Sequence, residues 1–212
     1  MSLSARDWFY HFCSKFRDTR RPMFGKRVTN DQWTEKMLDF LKRLGQGLGY
    51  EVETEPLRID QMWKQQDKAI VVIEHEIKHE TVFKKEMPNL IKVKAPLKVV
   101  VTYVRDYRFP YGAVEFADKV GIWLSKKVDE INSDEEFLVV IGTKTPFTKT
   151  RGRKGLRDFV PRPWDWLAYR FYLVRRIRRE VLQTPASSRS QAAIIAWRTR
   201  KRGLEAGGGG VR

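Results

Sequence analysis

Five residues of this 212-residue chain could do chemistry together: Asp60, the run Glu74-His75-Glu76, and His79. On a strand, alternate side chains share a face, so Glu74 and Glu76 stand with Ile70 and Val72 while His75 points the other way. Residues 57–80 supply such a strand within a β-hairpin. A first strand carries Asp60 and reaches about Lys64, a polar turn covers Gln65–Lys68, and a β-branched run extends from Ala69 to Ile77. With the turn centred on Gln66–Asp67, Asp60 falls opposite Glu74 to within one register step. Three carboxylates converging beside a buried apolar strand are costly unless a cation sits among them. A divalent metal is the simplest such cation. The plainer alternative is a solvated hairpin end whose acids pair with Lys64, Lys68 or Lys78.

The same letters, His75-Glu76-Ile77-Lys78-His79, also spell H-E-x-x-H, which on a helix sets two zinc-binding imidazoles and a general-base carboxylate on one face. The β-branched run and the turn before it argue for a strand instead. Along a strand the two imidazoles stand about 13 Å apart, too far to share one ion. A zinc metalloprotease is therefore the remote alternative.

The elements that must position these acids follow from periodicity. Ser4 caps a helix over 4–18 with Trp8, Phe9, Phe12 and Phe16 on one stripe, which reads as core packing. A basic linker, 19–28, is broken by Pro22 and Gly25. Thr29 and Gln32 form a capping-box pattern ahead of the stripe Trp33, Met37, Leu38, Leu41 and Leu44. A strand at Tyr50–Glu53 precedes the hairpin, and Thr81–Ile91 is a short helix that Pro88 disfavours. Leu97–Val104 is a buried strand, Ala113–Ile131 a helix, and Glu136–Gly142 a last strand. This alternation predicts an α/β fold: a mixed sheet with helices on both faces. Further helices are expected from Pro163 to about Leu182, with Trp166, Tyr169, Leu173 and Ile177 on one stripe, and over 187–202.

Charge divides the chain. The formal net charge is +16, yet residues 30–144 carry 18 Lys and Arg against 20 acids, while residues 145–212 carry 17 against 4. The expected organisation is an N-terminal helix and linker over 1–28, a core over 29–144, and a basic helical extension over 145–212. A basic arm with interleaved aromatics suits a polyanion, so Lys149, Arg151, Arg153, Lys154, Arg175, Arg176, Arg178 and Arg179 are the candidate nucleic-acid contacts. A basic amphipathic helix at 166–182 would also suit an anionic membrane surface. No stretch is long and apolar enough to span a membrane, no leader precedes the first helix, and Cys13 stands alone, all of which point to an intracellular setting.

The element order α-β-β-β-α-β, with Ile59-Asp60 on the second strand and Glu74-His75-Glu76 on the third, resembles the PD-(D/E)XK nuclease superfamily over about residues 29–143. The chain is also similar to nuclease-like proteins of archaeal spindle-shaped viruses. The resemblance implies a restriction-endonuclease-like αβββαβαβ core and hydrolysis of phosphodiester bonds in DNA, in replication, repair or recombination. It implies Mg²⁺ or Mn²⁺ held by Asp60, Glu74 and the backbone carbonyl of His75, and Glu76 positioning or deprotonating the water. Two departures stand out. Ile59 replaces the usual Pro, and Glu76 replaces the usual Lys, for which Lys78 and Lys64 are the candidate substitutes. Glu35, in the preceding helix, matches an additional acid of some members. Nucleases that cut two strands are often homodimers, which the analogy extends to this chain. A non-catalytic nucleic-acid-binding protein on the same fold is the second reading.

Overall fold

The strands over 68–76, 97–105 and 136–146 carry apolar side chains on both faces, so both faces of their sheet must be covered, and helices cover each. The structure is a computed structural model that describes residues 3–24, 30–78, 81–105, 111–146, 159–161, 166–173 and 177–182. Helices α1 (Ala5–Phe24) and α2 (Asn30–Gly47) precede strands β1 (Glu51–Thr54), β2 (Gln61–Gln65) and β3 (Lys68–Glu76). Then come α3 (Glu86–Lys92), β4 (Leu97–Arg105), α4 (Tyr111–Ser125), β5 (Glu136–Pro146), β6 (Phe159–Pro161), β7 (Leu167–Leu173) and β8 (Ile177–Leu182).

These strands form one mixed sheet in the order β1-β2-β3-β4-β5-β7-β8, with β6 paired to β5. β3, β4 and β5 run parallel and the remaining pairings are antiparallel. One face packs on α1 and α2 through Trp8, Phe12, Trp33, Trp63 and Tyr103. The other packs on α3 and α4 through Met87, Leu90, Phe116 and Val120. The layered α/β architecture expected from the alternation is present.

The hairpin forms where its chemistry requires. Gln66 and Asp67 both have positive φ, 51° and 61°, the turn whose twist matches that of two antiparallel strands. β2 pairs with β3 from Gln65↔Lys68 to Gln61↔Ile73, which sets Asp60 one step further on, beside Glu74. Asp60 stands just before β2 rather than on it, because residues 56–58 close a 3-10 turn ahead of the strand. α3 tolerates Pro88 because proline falls in its first turn, where its missing N–H has no helical partner to lose. α1 runs beyond the expected end at residue 18, through Pro22 to Phe24.

Residues 167–173 and 177–182 correct an expectation. They are not a helix but the strands β7 and β8, paired with each other and, through β7, with β5. The spacing of Trp166, Tyr169, Leu173 and Ile177 suits a helix. However, Leu167-Ala168-Tyr169-Arg170-Phe171 is buried at all but Arg170, and a strand between two neighbours buries both faces. Arg170 stays ion-paired with Glu136 on β5 and Glu180 on β8. The expected helix over 187–202 lies outside the described residues. Among the described residues no helix is long and apolar enough to cross a membrane.

Candidate active site

The cleft lies at the C-terminal end of β3, where the β2 ladder has stopped and α3 comes across the sheet. Ligands of open α/β sheets collect at the carboxyl ends of strands. It encloses about 580 Å³, and Asp60, Glu74, Glu76 and Glu86 face into it. Three of these acids are those expected from the hairpin. Glu86, from the first turn of α3, is the one the sequence pattern did not single out.

The backbone sets the geometry. The His75 N–H donates to Asp60 Oδ2 at 2.7 Å, fastening the residue before β2 to the end of β3. In a strand the N–H and C=O of one residue leave on the same side. The His75 carbonyl therefore opens onto the same edge as Asp60. Thr102 on β4 donates to the Glu76 carbonyl at 2.8 Å, which holds the last residue of β3 in the sheet. The Glu76 side chain folds back, and its Oε1 accepts the Lys78 N–H at 2.7 Å.

Burial and like charge act together on these carboxyls. Glu74 is 3% exposed, and its Oε1 has no hydrogen-bond partner. Desolvation, then the charges of Asp60 and Glu86, push Glu74 up to about 9, against weaker lowering by the Asp60 backbone and the Asn89 side chain. Asp60 is also raised, chiefly by burial, although it accepts hydrogen bonds from the His75 backbone and from Glu74. Glu86 is pushed up to about 7 by burial, then by its hydrogen bond to Glu76 and the charges of Glu76 and Asp60. Without a cation the cluster therefore holds protons at neutral pH. Raised carboxyls in a cleft, one with an orphaned oxygen, are the donor set a hard divalent cation fits. Among the described residues no group of three or more His, Cys, Asp and Glu side chains is already set to hold a metal ion. Mg²⁺ commonly takes one or two carboxylates and keeps several waters.

The remaining candidates divide. The His75 imidazole lies across the sheet from the acids, buried, with Nε2 2.9 Å from the Tyr103 hydroxyl, and desolvation pushes it down to about 3. Only its backbone belongs to the cleft. Since 68–76 is a strand, His75 and Glu76 lack the helix that a zinc protease needs, and His79 lies outside the described residues. Glu35 is exposed on α2, the helix packed on the opposite face of the sheet, and does not join the acids. Lys78 is exposed and does not line the cleft, and Lys64 is ion-paired with Glu53 toward the far end of the hairpin. The cations that do line it are Arg58, Lys84, Lys85 and Lys92.

Lys149, Arg151, Arg153, Lys154, Arg175 and Arg176 lie outside the described residues. Arg178 and Arg179 are neighbours on β8, so they face opposite sides of the sheet instead of sharing a helical surface. Arg179 pairs with Asp118 on α4. Four strand spacings separate β8 from β3, about 19 Å, so neither arginine reaches the cleft.

The turn that leads into Asp60 is strained. Glu55, Leu57 and Arg58 all have positive φ (58°, 53° and 67°), a conformation that costs a residue other than glycine about 1–3 kcal/mol. No family model, no curated protein and no solved structure matches the chain.

Proposed function

We propose that the cleft is the active site of a metal-dependent endonuclease acting on DNA, with Mg²⁺ or Mn²⁺ as cofactor. The observation that carries this reading is the convergence of Asp60, Glu74, Glu76 and Glu86 in one cleft rimmed by Arg58, Lys84, Lys85 and Lys92. A phosphodiester brings negative charge to both groups of residues. The cationic rim suits its flanking phosphates, and the acids suit a cation at its centre.

In this reading Asp60 and Glu74 hold the divalent ion, with the His75 carbonyl on the same edge. The ion supplies Lewis acidity toward the phosphate oxygens when bound. The Glu76–Glu86 pair manages protons. Glu86 titrates near neutrality, so it can take a proton from an attacking water or return one to the departing oxygen. Lys84 and Lys85 line the cleft and in this reading supply the positive charge that Glu76, in place of a lysine, does not. Two such clefts in a homodimer would serve two strands.

The test is incubation of supercoiled plasmid, branched DNA and single-stranded DNA with Mg²⁺ or Mn²⁺, for wild type and Glu74→Gln. Cleavage by wild type alone is the expected result. No cleavage with either metal, or equal cleavage by both proteins, would sink the reading. One observation favours a non-catalytic DNA-binding protein: no lysine of β3 lines the cleft. That reading expects salt-sensitive binding indifferent to Asp60→Asn and Glu74→Gln.

A further inference from the structure

We propose that the Glu55–Arg58 turn is a wedge that enters an unstacked base step, with Leu57 as its apolar tip and Arg58 on the flanking phosphate. This rests on the reading that DNA lies across the acidic cleft. Leu57 is 75% exposed, the most exposed large apolar side chain among the described residues. Its φ of 53° is one that leucine tolerates poorly and glycine or asparagine tolerates well. Leu57 therefore combines backbone strain with solvent exposure and gains little packing in return. Strain that persists in that way marks a residue kept for contact with something else.

The turn is held rigidly. The Ile59 N–H donates to the Pro56 carbonyl at 2.8 Å, and the Glu55 N–H donates to the Asp60 carbonyl at 3.0 Å. Ile59, next along the chain, is buried in the core under α3. The tip thus projects from an anchored base, directly before the carboxylate that faces the cleft. Arg58 lines the cleft, and so do Lys84, Lys85 and Lys92 on and before α3. A cationic surface with one stiff apolar projection is the arrangement by which proteins insert leucine between base pairs. Unstacking costs least where pairing is already broken, so the expected partner is DNA with a bulge or mismatch near the scissile position.

The test measures binding by fluorescence anisotropy with the full chain in a Glu74→Gln background, where cleavage does not interfere. The two probes are a regular duplex and the same duplex with a central bulge flanked by 2-aminopurine. The bulged duplex should bind about tenfold more tightly, and its 2-aminopurine should brighten on binding. Leu57→Asn, which suits the left-handed backbone, should reduce that preference to within about twofold and abolish the brightening. Its affinity for the regular duplex should stay near the parent value, and its melting temperature should equal or exceed the parent's, since asparagine relieves the left-handed strain. Arg58→Gln should weaken both duplexes alike and reduce the salt slope by about one. An absent preference, or one that survives Leu57→Asn, would overturn the wedge. Failure to bind either duplex would overturn both the wedge and the DNA reading. A Leu57-dependent preference in a protein whose wild type cuts nothing would support the wedge and sink only the nuclease.

Discussion

Asp60 and His75 stand fifteen residues apart in the chain and are joined by a single 2.7 Å hydrogen bond from the His75 N–H to Asp60 Oδ2. That bond forms where β2 has just stopped pairing with β3, so it replaces a missing rung of the ladder with a carboxylate. Asp60 therefore has two separable roles, as a backbone anchor and as an anion in the cleft. Asp60→Asn retains an acceptor for the His75 N–H and removes the charge. Asp60→Ala removes both and leaves a part-buried donor without a partner, which costs about 1–3 kcal/mol. The expected outcome is that both variants lose DNA cleavage, while only Asp60→Ala unfolds at lower urea. Equal stability of the two would show that the bond does not anchor the turn.

That relationship was legible in advance only because two local rules agreed. The β-branched run from Ala69 set the strand, and the Gln66–Asp67 turn set its register to within one step; an irregularity between Trp63 and Lys64 supplies that step and brings Asp60 beside Glu74. Glu86 was not legible, since it reaches the cleft from α3, ten residues beyond Glu76, through a turn with no regular period. The strands β7 and β8 were misread for a different reason. Trp166, Tyr169, Leu173 and Ile177 recur at helical spacing, but pairing of β7 with β5 overrides that spacing by burying Tyr169 and Phe171 on one face of the sheet and Ala168 on the other. Lys98, buried at the start of β4, had no sequence signature because its partner, Glu135, lies 37 residues away.

The raised carboxyls predict how stability varies with pH. Glu74 titrates near 9 in the folded chain and near 4.5 when unfolded, so the folded state binds the extra proton between those values. Its contribution is complete below about 4.5 and is lost as pH rises through 9. His75 acts in the opposite sense, since a pKa near 3 costs stability only as pH falls below 6.5. Between pH 7 and 9, therefore, the carboxyls dominate. With metal chelated, the melting temperature of wild type should fall across that range, as the unfolding free energy drops by at most about 1.4 kcal/mol per pH unit for the one extra proton. Saturating Mg²⁺ or Mn²⁺ should offset the fall, and Glu74→Gln should flatten it in both conditions. Thermal melts at constant ionic strength decide this. A wild-type slope equal to that of Glu74→Gln would contradict it.

Lys98 gives a prediction for the core alone. Its side chain is 0% exposed, and Nζ lies 2.8 Å from Glu135 Oε2, with the Phe137 ring 5.3 Å away. Burial lowers the Lys98 pKa, and Glu135 opposes that shift. Lys98→Met leaves Glu135 as an unpaired buried charge and should cost about 3–5 kcal/mol. Lys98→Met with Glu135→Leu should recover most of the loss, since an apolar pair replaces the buried ion pair at similar volume. Urea denaturation of the two single variants and the double variant measures the coupling. If the double variant loses as much as the sum of the single ones, the pair is not coupled. Lys98 pairs with Val72, four residues before Glu76 in the ladder, so DNA cleavage should be unaffected while the protein stays folded.

Glu86 connects the protonation of the cleft to the rate of the proposed reaction. It titrates near 7 because burial and the neighbouring Glu76 and Asp60 disfavour its charge, while Lys85 favours it. If Glu86 must be ionised to accept a proton, cleavage should rise about tenfold per pH unit below 7 and level off above it. Glu86→Gln cannot ionise, so that limb should vanish and the remaining rate should drop by about 10²–10⁴-fold, the range that proton transfer supplies. A bound cation would favour the ionised form, moving the wild-type limb to lower pH as Mn²⁺ concentration rises. Cleavage rates at saturating DNA, measured from pH 5.5 to 8.5 at two Mn²⁺ concentrations, separate these effects. A limb that persists unchanged in Glu86→Gln would assign the titration to another group. The nearest candidate is then Glu74, whose substitution by Gln should already have abolished cutting.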